Sequence, residues 1–176
     1  LTTLQEDSRL VVELAEESLP PPTGHDVVVR VEAAPINPSD LGLLFGPADL
    51  DNAEYGDGRI VATMPDGARR AMAARVGQAM PVGNEGAGTV VAAGEAADAQ
   101  ALLGKTIACV AGGMFAQYRT VDARSVIELP DNATAEQGAS AFVNPLTALG
   151  FVETMRRDGH SAIVHTAAAS NLGQML

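Results

Sequence analysis

The residues best suited to binding chemistry form a run of small side chains near the end of the sequence. Residues 165–173 read HTAAASNLG, in which Ala167, Ser170 and Gly173 keep a G-x-x-G-x-x-G spacing but only the last glycine. Small side chains let a backbone approach a pyrophosphate, and the following helix start supplies N–H donors. The run predicts a dinucleotide-binding loop; the alternative is a tight strand-to-helix turn that simply needs small residues.

Few residues suit metal or nucleophilic chemistry. The chain has one cysteine, Cys109, and three histidines, which excludes an internal disulfide and any multi-cysteine zinc site. Cys109 falls in an apolar strand, and we expect an inert small hydrophobic residue there. His165 lies in an apolar run typical of a hydrogen-bonded core histidine, whereas His25 and His160 are predicted to be solvated.

Three further polar segments carry the remaining candidates. Residues 34–40 read APINPSD, residues 83–88 read GNEGAG, and residues 144–147 read NPLT. Each segment alone is turn or cap chemistry, because Asn-Pro begins turns and glycine relieves strain at positive φ. A functional interpretation therefore depends on the segments in combination.

Short strands with Gly and Pro between them are expected to position these segments. Alternating and apolar runs predict strands over 10–14, 26–34, 89–93, 105–110, 115–121 and 126–129. Such spacing is typical of a β-barrel or sandwich. Residues 48–80 are the least regular part, and we expect a surface loop there, with a hairpin around Pro65-Asp66-Gly67.

Helical signals begin after residue 130. Thr134 and Gln137 fit a capping box, which predicts a helix from Ala135. Pro145 cannot lie inside one continuous helix, so a second helix is expected, capped by Asn144, with Pro145 first, running to about Arg157.

A parallel α/β arrangement is expected to follow that second helix. Residues 161–165 predict a buried strand, and a further helix is expected to begin near Leu172. Since one strand cannot form such a domain, we expect the chain to break off inside its second domain. The predicted division is a first domain over residues 1–132 and the beginning of a second over 133–176.

The composition narrows the class of protein. The chain has 176 residues, with 22 acidic and 11 basic side chains and a net charge of −11. Its 47% hydrophobic content excludes a disordered chain, and an acidic surface without a basic stripe argues against nucleic-acid binding. No apolar run reaches the ~20 residues of a membrane helix. We expect a soluble, cytoplasmic protein that binds neither nucleic acid nor membrane.

Taken together, the segments resemble those of a known family. APINPSD, VGNEGAG, GGMFAQYRTV with the following ELPD, and NPLTAL before AAASNLGQ occur in order. With this set, the chain resembles the medium-chain dehydrogenase/reductase superfamily, and most closely its zinc-free quinone oxidoreductase and enoyl-thioester reductase branch. The resemblance covers nearly the whole chain from about Leu10, except residues 48–80. It implies a mainly β fold: a GroES-like β-barrel catalytic domain followed by the start of a Rossmann nucleotide-binding domain.

The resemblance also bears on zinc. Zinc-dependent members carry a cysteine and a histidine where this chain has Asn37 and Asn84. Neutral amides are poor substitutes for thiolate or imidazole ligands, and the structural zinc lobe of that branch needs four cysteines. We therefore expect a protein without zinc.

Site roles follow from the resemblance, residue by residue. Asn37 would lie beside the nicotinamide or the substrate, and Glu85 at the floor of the cleft, although a buried structural carboxylate is the alternative for Glu85. Asn144 and Thr147 would contact the nicotinamide ribose and carboxamide, unless Asn144 only caps its helix. The residues expected on the pyrophosphate are Ser170, Leu172 and Gly173.

One departure concerns the proton donor. Enoyl-thioester reductases have a tyrosine shortly after the INPSD-type segment, and here Ala48 falls at that place. Tyr55 follows a few residues later and is the candidate replacement; the alternative is a surface tyrosine.

The implied activity is zinc-independent, NADPH-dependent hydride transfer to a quinone or an activated C=C bond of a small-molecule substrate, with NADH as the alternative cofactor. We expect these 176 residues to be an N-terminal portion, inactive alone, of a protein that forms a homodimer at full length. The alternative is a truncated or degenerate, non-enzymatic β-barrel interaction module.

Overall fold

The computed structural model describes residues 1–176. Ten strands occur in chain order: β1 (Thr2–Leu4), β2 (Arg9–Glu13), β3 (Asp26–Ala33), β4 (Asp49–Gly56), β5 (Arg59–Thr63), β6 (Ala79–Met80), β7 (Glu85–Ala93), β8 (Thr106–Val110), β9 (Tyr118–Asp122) and β10 (Val126–Glu128). Six α-helices accompany them: α1 (Pro38–Leu44), α2 (Asp66–Ala71), α3 (Ala97–Ala101), α4 (Ala135–Gly138), α5 (Val143–Arg157) and α6 (Asn171–Met175).

The strands form two five-stranded antiparallel sheets. Their orders are β4-β5-β2-β1-β6 and β10-β8-β7-β3-β9. In β3 the predicted alternation holds in part: Val27 and Val29 are fully buried in the main core and Arg30 is exposed, but Val28, predicted on the opposite face, is also buried. The core between these strands is built from small and medium side chains, with Ile107 and Met114 as its largest fully buried members.

Strand β7 is longer than its apolar run, because glycine permits close pairing at its start. Gly86 pairs with Cys109 and Gly88 with Ile107 across β8. A Cβ atom on Gly88 would overlap the carbonyl oxygen of Arg30 on β3. The GNEGAG segment is therefore sheet for most of its length rather than a turn.

Residues 48–80 are more regular than predicted. Strands β4 and β5 form a hairpin whose two turn residues, Asp57 and Gly58, have φ of 50° and 73°. Positive φ at both positions is the geometry that an Asp-Gly pair favours in a two-residue hairpin. The hairpin predicted around Pro65-Asp66-Gly67 is wrong, since Asp66 begins α2 there.

This region also has its own small core. Met64 is fully buried with Leu4 and Leu10, and α2 covers them with Ala68 and Met72. Apolar burial on the inner side of the β4–β5 hairpin explains why the segment folds although its sequence is rich in Gly and Asp.

The last forty residues contain helices and connecting loops but no strand. At α4 the predicted capping box is confirmed: Thr134 Oγ1 accepts from the Gln137 N–H at 3.3 Å, and the Thr134 N–H donates to Gln137 Oε1 at 2.9 Å. Residues 161–165 do not form the predicted buried strand, and Val164 is 95% exposed. A strand needs a neighbour for its backbone hydrogen bonds, and none lies beside this run.

The fold is mainly β, as predicted: two five-stranded sheets are followed by three helices, α4, α5 and α6. None of its helices is long and apolar enough to cross a lipid bilayer.

Candidate functional site

Two buried carboxylates organise one end of the barrel. The first, Asp40 in α1, is completely buried. Its Oδ2 accepts from the Asn37 N–H at 2.8 Å, and its Oδ1 accepts from the Asn84 N–H at 2.9 Å. Asp40 thereby ties the start of α1 to the loop that enters β7, which brings the APINPSD and GNEGAG segments together.

The second carboxylate, Glu85, begins β7 and is 1% exposed. Its Oε1 accepts from Asn37 Nδ2 at 3.1 Å. Its Oε2 accepts from two backbone N–H groups, those of Phe142 at 3.0 Å and Val143 at 2.9 Å. The Glu85 side chain therefore bridges the barrel and the first turn of α5.

This bridge explains where α5 begins. The first N–H groups of a helix have no partner inside the helix, and Glu85 satisfies two of them from another part of the chain. The prediction that Asn144 caps the helix with Pro145 as its first residue is wrong, because α5 starts at Val143. A carboxylate at a helix N-terminus also suits the direction of the helix dipole.

Since Asn144 is not needed as a cap, its side chain is free for another role. It is half-buried in the first turn of α5 and makes no side-chain hydrogen bond. One turn later the Thr147 hydroxyl donates to the Val143 carbonyl at 2.6 Å, which leaves the oxygen of Thr147 able to accept. Both predicted cofactor residues thus lie on the helix that Glu85 anchors.

The small-residue loop precedes α6 as predicted. Ser170 caps the helix, its Oγ accepting from the Gly173 N–H at 3.1 Å. A Cβ atom on Gly173 would lie 2.6 Å from the carbonyl oxygens of Ala167 and Ala168, so only glycine allows this close approach. Leu172 is half-buried. The loop residues before Ser170 are exposed, with only alanine and threonine side chains over the backbone.

His165 is not the buried core histidine that was predicted. Its ring meets Phe151 of α5 edge-on, with centroids 6.3 Å apart, and Nδ1 accepts from the Ala167 N–H at 3.2 Å. His165 therefore supports the loop from a partly exposed position.

Tyr55 lies apart from this arrangement. It is on β4 at the edge of the other sheet, 66% exposed, and its hydroxyl donates to the Leu50 carbonyl at 3.2 Å. It makes no hydrogen bond to Asn37 or Glu85. The structure thus joins Asn37, Glu85 and α5, and leaves Tyr55 in its own hairpin.

The structure shows neither a reactive thiol nor a cluster of metal ligands. Cys109 is buried, and this burial raises the pKa of its thiol to about 11. No cluster of three or more His, Cys, Asp or Glu side chains is arranged to hold a metal ion.

Sequence reasoning did not single out Asp40. The signal that could have found it is the Asn-x-x-acidic spacing of Asn37 and Asp40, a cap-like pattern at a helix start. The Glu85 contact with Phe142 and Val143 joins residues more than fifty positions apart. No local sequence pattern predicts such a contact.

Comparisons with known proteins agree with this architecture. The model of the alcohol dehydrogenase GroES-like domain matches residues 23–131. The mitochondrial enoyl-[acyl-carrier-protein] reductase of Mus musculus is 29% identical over 170 residues, which cover 96% of this chain and 39% of the mouse protein.

Solved structures point the same way. A candidate NADPH:quinone reductase from Mesorhizobium loti is 32% identical with a TM-score of 0.62, over 89% of this chain and 40% of that one. The Escherichia coli quinone oxidoreductase, complexed with NADPH, shares the fold at 18% identity with a TM-score of 0.58, over 90% of this chain and 42% of that one. The chain thus spans about 40% of the length of these relatives. It belongs to the alcohol dehydrogenase GroES-like domain family, in the quinone oxidoreductase and enoyl reductase branch of the medium-chain dehydrogenase/reductase superfamily.

Proposed function

We propose that the full-length protein is a zinc-independent, NADPH-dependent oxidoreductase that reduces a quinone or an activated C=C bond. The observation that carries this proposal is the junction at Glu85, where the barrel segment with Asn37 meets the first turn of the helix that bears Asn144 and Thr147. The M. loti relative is a candidate NADPH:quinone reductase and the mouse relative an enoyl reductase, which supports this class of reaction.

The chain's own residues fit a dinucleotide. The loop before α6 exposes backbone under small side chains, and Gly173 keeps the helix start against Ala167 and Ala168. In this proposal Ser170, Leu172 and Gly173 contact the pyrophosphate, because small side chains at the start of a helix let the pyrophosphate approach the backbone. NADH is the alternative cofactor.

NADPH, when bound, supplies the hydride that reduces the quinone or alkene, and a proton taken up with it completes the reduction. Asn144 and Thr147 hold the ribose and the carboxamide, and Asn37 lies beside the nicotinamide.

The absence of zinc remains a proposal supported by the types of residue present. Asn37 Nδ2 donates to Glu85, and Asn84 Nδ2 donates to Ser39 Oγ at 3.0 Å. A neutral amide could coordinate zinc only through its oxygen, which is a much weaker zinc ligand than a thiolate or an imidazole.

The test uses purified full-length protein. We expect NADPH fluorescence to change on binding, and NADPH to be oxidised when 1,4-benzoquinone or crotonyl-CoA is added. Metal analysis of the same sample should find no stoichiometric zinc. Absence of both binding and oxidation would exclude the reductase, and one zinc per chain would contradict the metal-free assignment.

Three further features belong to the proposal. A boundary at residues 132/133 separates the barrel domain from the beginning of the Rossmann domain. The full-length protein is a homodimer, and it works in the cytoplasm on a small-molecule substrate, without nucleic acid or membrane partners.

A further inference from the structure

Glu85 is the one hydrogen-bonded link between the barrel and the helical segment. Residues 134–176 make no other hydrogen bond to residues 1–132 than the two that Phe142 and Val143 donate to Glu85. The same carboxylate holds the Asn37 side chain at 3.1 Å. A single side chain, 1% exposed, therefore fixes both sides of the proposed cleft.

Apolar packing between residues 1–132 and residues 134–176 is concentrated at α4. Ala135 of α4 packs on Ala87 and Ala108, with Phe142 at the edge of the cluster. Beyond its first turn, α5 is mostly exposed on the side that carries Leu146 and Leu149, which are 58% and 56% exposed. Phe142 and the buried Ala148 give α5 a few apolar contacts, and the hydrogen bonds to Glu85 add a directional contact at its first turn.

We infer that Glu85 is a positioning residue for cofactor binding: its carboxylate sets the place of Asn144 and Thr147 relative to Asn37. This inference rests on the proposed function, since it concerns the same cleft. Glu85 acts through hydrogen bonds to Asn37 and to α5 and touches no reacting atom itself. The sequence left a buried structural carboxylate as the alternative for Glu85. In this inference the same structural contacts serve cofactor binding.

The directions of the three hydrogen bonds allow a test in which the carboxylate and the amide change places between positions 85 and 37. Every donor points at Glu85, so both of its oxygens accept. Glu85→Gln keeps an oxygen for the N–H groups of Phe142 and Val143 but makes all three hydrogen bonds neutral, and its NH₂ can bond to Asn37 only if the Asn37 amide turns over to present Oδ1. Asn37→Asp alone places a second carboxylate against Glu85 Oε1, which is repulsive.

The double exchange Asn37→Asp with Glu85→Gln reverses one hydrogen bond and keeps the other two. The new amide donates to the new carboxylate, and its oxygen still faces α5. The side chains keep their sizes and the pair keeps its total charge. The double variant therefore regains a charged hydrogen bond between positions 37 and 85, whereas each single variant weakens the link.

The experiment measures the NADPH dissociation constant of the full-length protein and its variants by fluorescence. We expect Glu85→Gln and Asn37→Asp each to weaken NADPH binding by about tenfold or more, because the first removes the charge from three hydrogen bonds and the second sets two carboxylates against each other. We expect the double variant to recover at least part of the lost affinity. Because Asn37 also lies beside the nicotinamide in the proposed function, full restoration of the Glu85 link is measured by hydrogen exchange.

Thr134→Ala is the matched control. It removes the cap of α4, an interaction of similar size, from the neighbouring helix, and we expect no change in NADPH affinity. Weakening by Thr134→Ala equal to that of Glu85→Gln would mean a general loss of stability and would overturn the positioning role. Parent-like affinity of Glu85→Gln, or a folded double variant that does not recover, would overturn it as well.

A second measurement is independent of the cofactor. Hydrogen exchange over residues 139–147 should be faster in both single variants than in the parent, and should return to the parent rate in the double variant. If the parent protein binds no NADPH, the proposed function fails, and this exchange pattern alone decides whether Glu85 fixes α5; unchanged exchange in Glu85→Gln would show that it does not.

Discussion

Burial decides the chemistry of Cys109, the only cysteine in the chain. Its side chain lies in the core with Sγ 3.7 Å from Met114 Sδ. Loss of hydration disfavours the thiolate and raises the pKa to about 11 from 9.0. Cys109 therefore behaves as the inert hydrophobic residue predicted from its place in a strand.

Thiol labelling checks this directly. At pH 8 roughly one Cys109 in a thousand is a thiolate, so we expect iodoacetamide to label the native protein at least ~100-fold more slowly than the protein in guanidinium chloride. The raised pKa also implies a contribution to stability that is present below pH 9 and is lost as the pH rises towards 11. Rapid labelling at pH 8 without denaturant would contradict this description of the site.

The proton donor is a second question at the scale of single residues. Tyr55 is exposed and bonded within its own hairpin. We expect Tyr55→Phe in the full-length protein to keep the rate of NADPH oxidation within about threefold of the parent, because an exposed hydroxyl held by Leu50 is badly placed to donate. A loss beyond ~100-fold, the lower range for a general acid, would instead identify Tyr55 as the donor.

Among the elements, β7 depends most strongly on its glycines. A side chain at Gly88 would collide with the Arg30 carbonyl of β3, whereas a Cβ atom on Gly67 in α2 would meet nothing within 4 Å. The two positions therefore differ in packing although both are glycine within regular structure.

Alanine at these two positions should have opposite effects. We expect Gly88→Ala to lower the free energy of unfolding by about 2–3 kcal/mol, because β3 and β7 must separate. Gly67→Ala should be neutral or stabilise α2 by up to about 1 kcal/mol. Chemical denaturation of both variants measures the difference, and equal midpoints for the two variants would show that the close approach at Gly88 does not limit stability.

Helix starts show which elements local sequence can define. Thr134 and Gln137 cap α4 with residues three positions apart, and the pattern predicted it. The start of α5 was misplaced because its cap, Glu85, comes from 58 positions away. The Asp57-Gly58 turn is as local a signal as the capping box, because its two residues alone fix the positive φ that the hairpin needs.

At the scale of the whole molecule, the barrel and the helical segment are coupled. Ala135 of α4 is buried against Ala87 and Ala108 of the barrel, and Glu85 accepts from Phe142 and Val143. A division at residues 132/133 would expose the first contact and remove the second.

Two truncated chains test how far the barrel relies on these contacts. We expect residues 1–158 to be more stable than residues 1–132 by about 2–4 kcal/mol, since the shorter chain loses the buried Ala135 and two hydrogen bonds to Glu85. Urea denaturation of both chains gives the comparison. Equal stabilities would mean that the barrel folds independently of α4 and α5.

The sequence by itself determined the features that depend on neighbouring residues. Alternation at Val27 and Val29, the Thr134 capping box, the small residues around Ser170, and the lack of thiolate and imidazole ligands could all be recognised from residue types at short spacing. The ordered motifs added the family and, with it, the fold.

Only the tertiary structure decided how these pieces meet. Asn37 and Glu85 are 48 positions apart, and Glu85 and Val143 are 58 apart. A carboxylate is buried only where donors from several elements converge on it, since an unsatisfied one would cost too much free energy. That convergence depends on the path of the whole chain, and for this reason the strand patterns were predictable and the link at Glu85 was not.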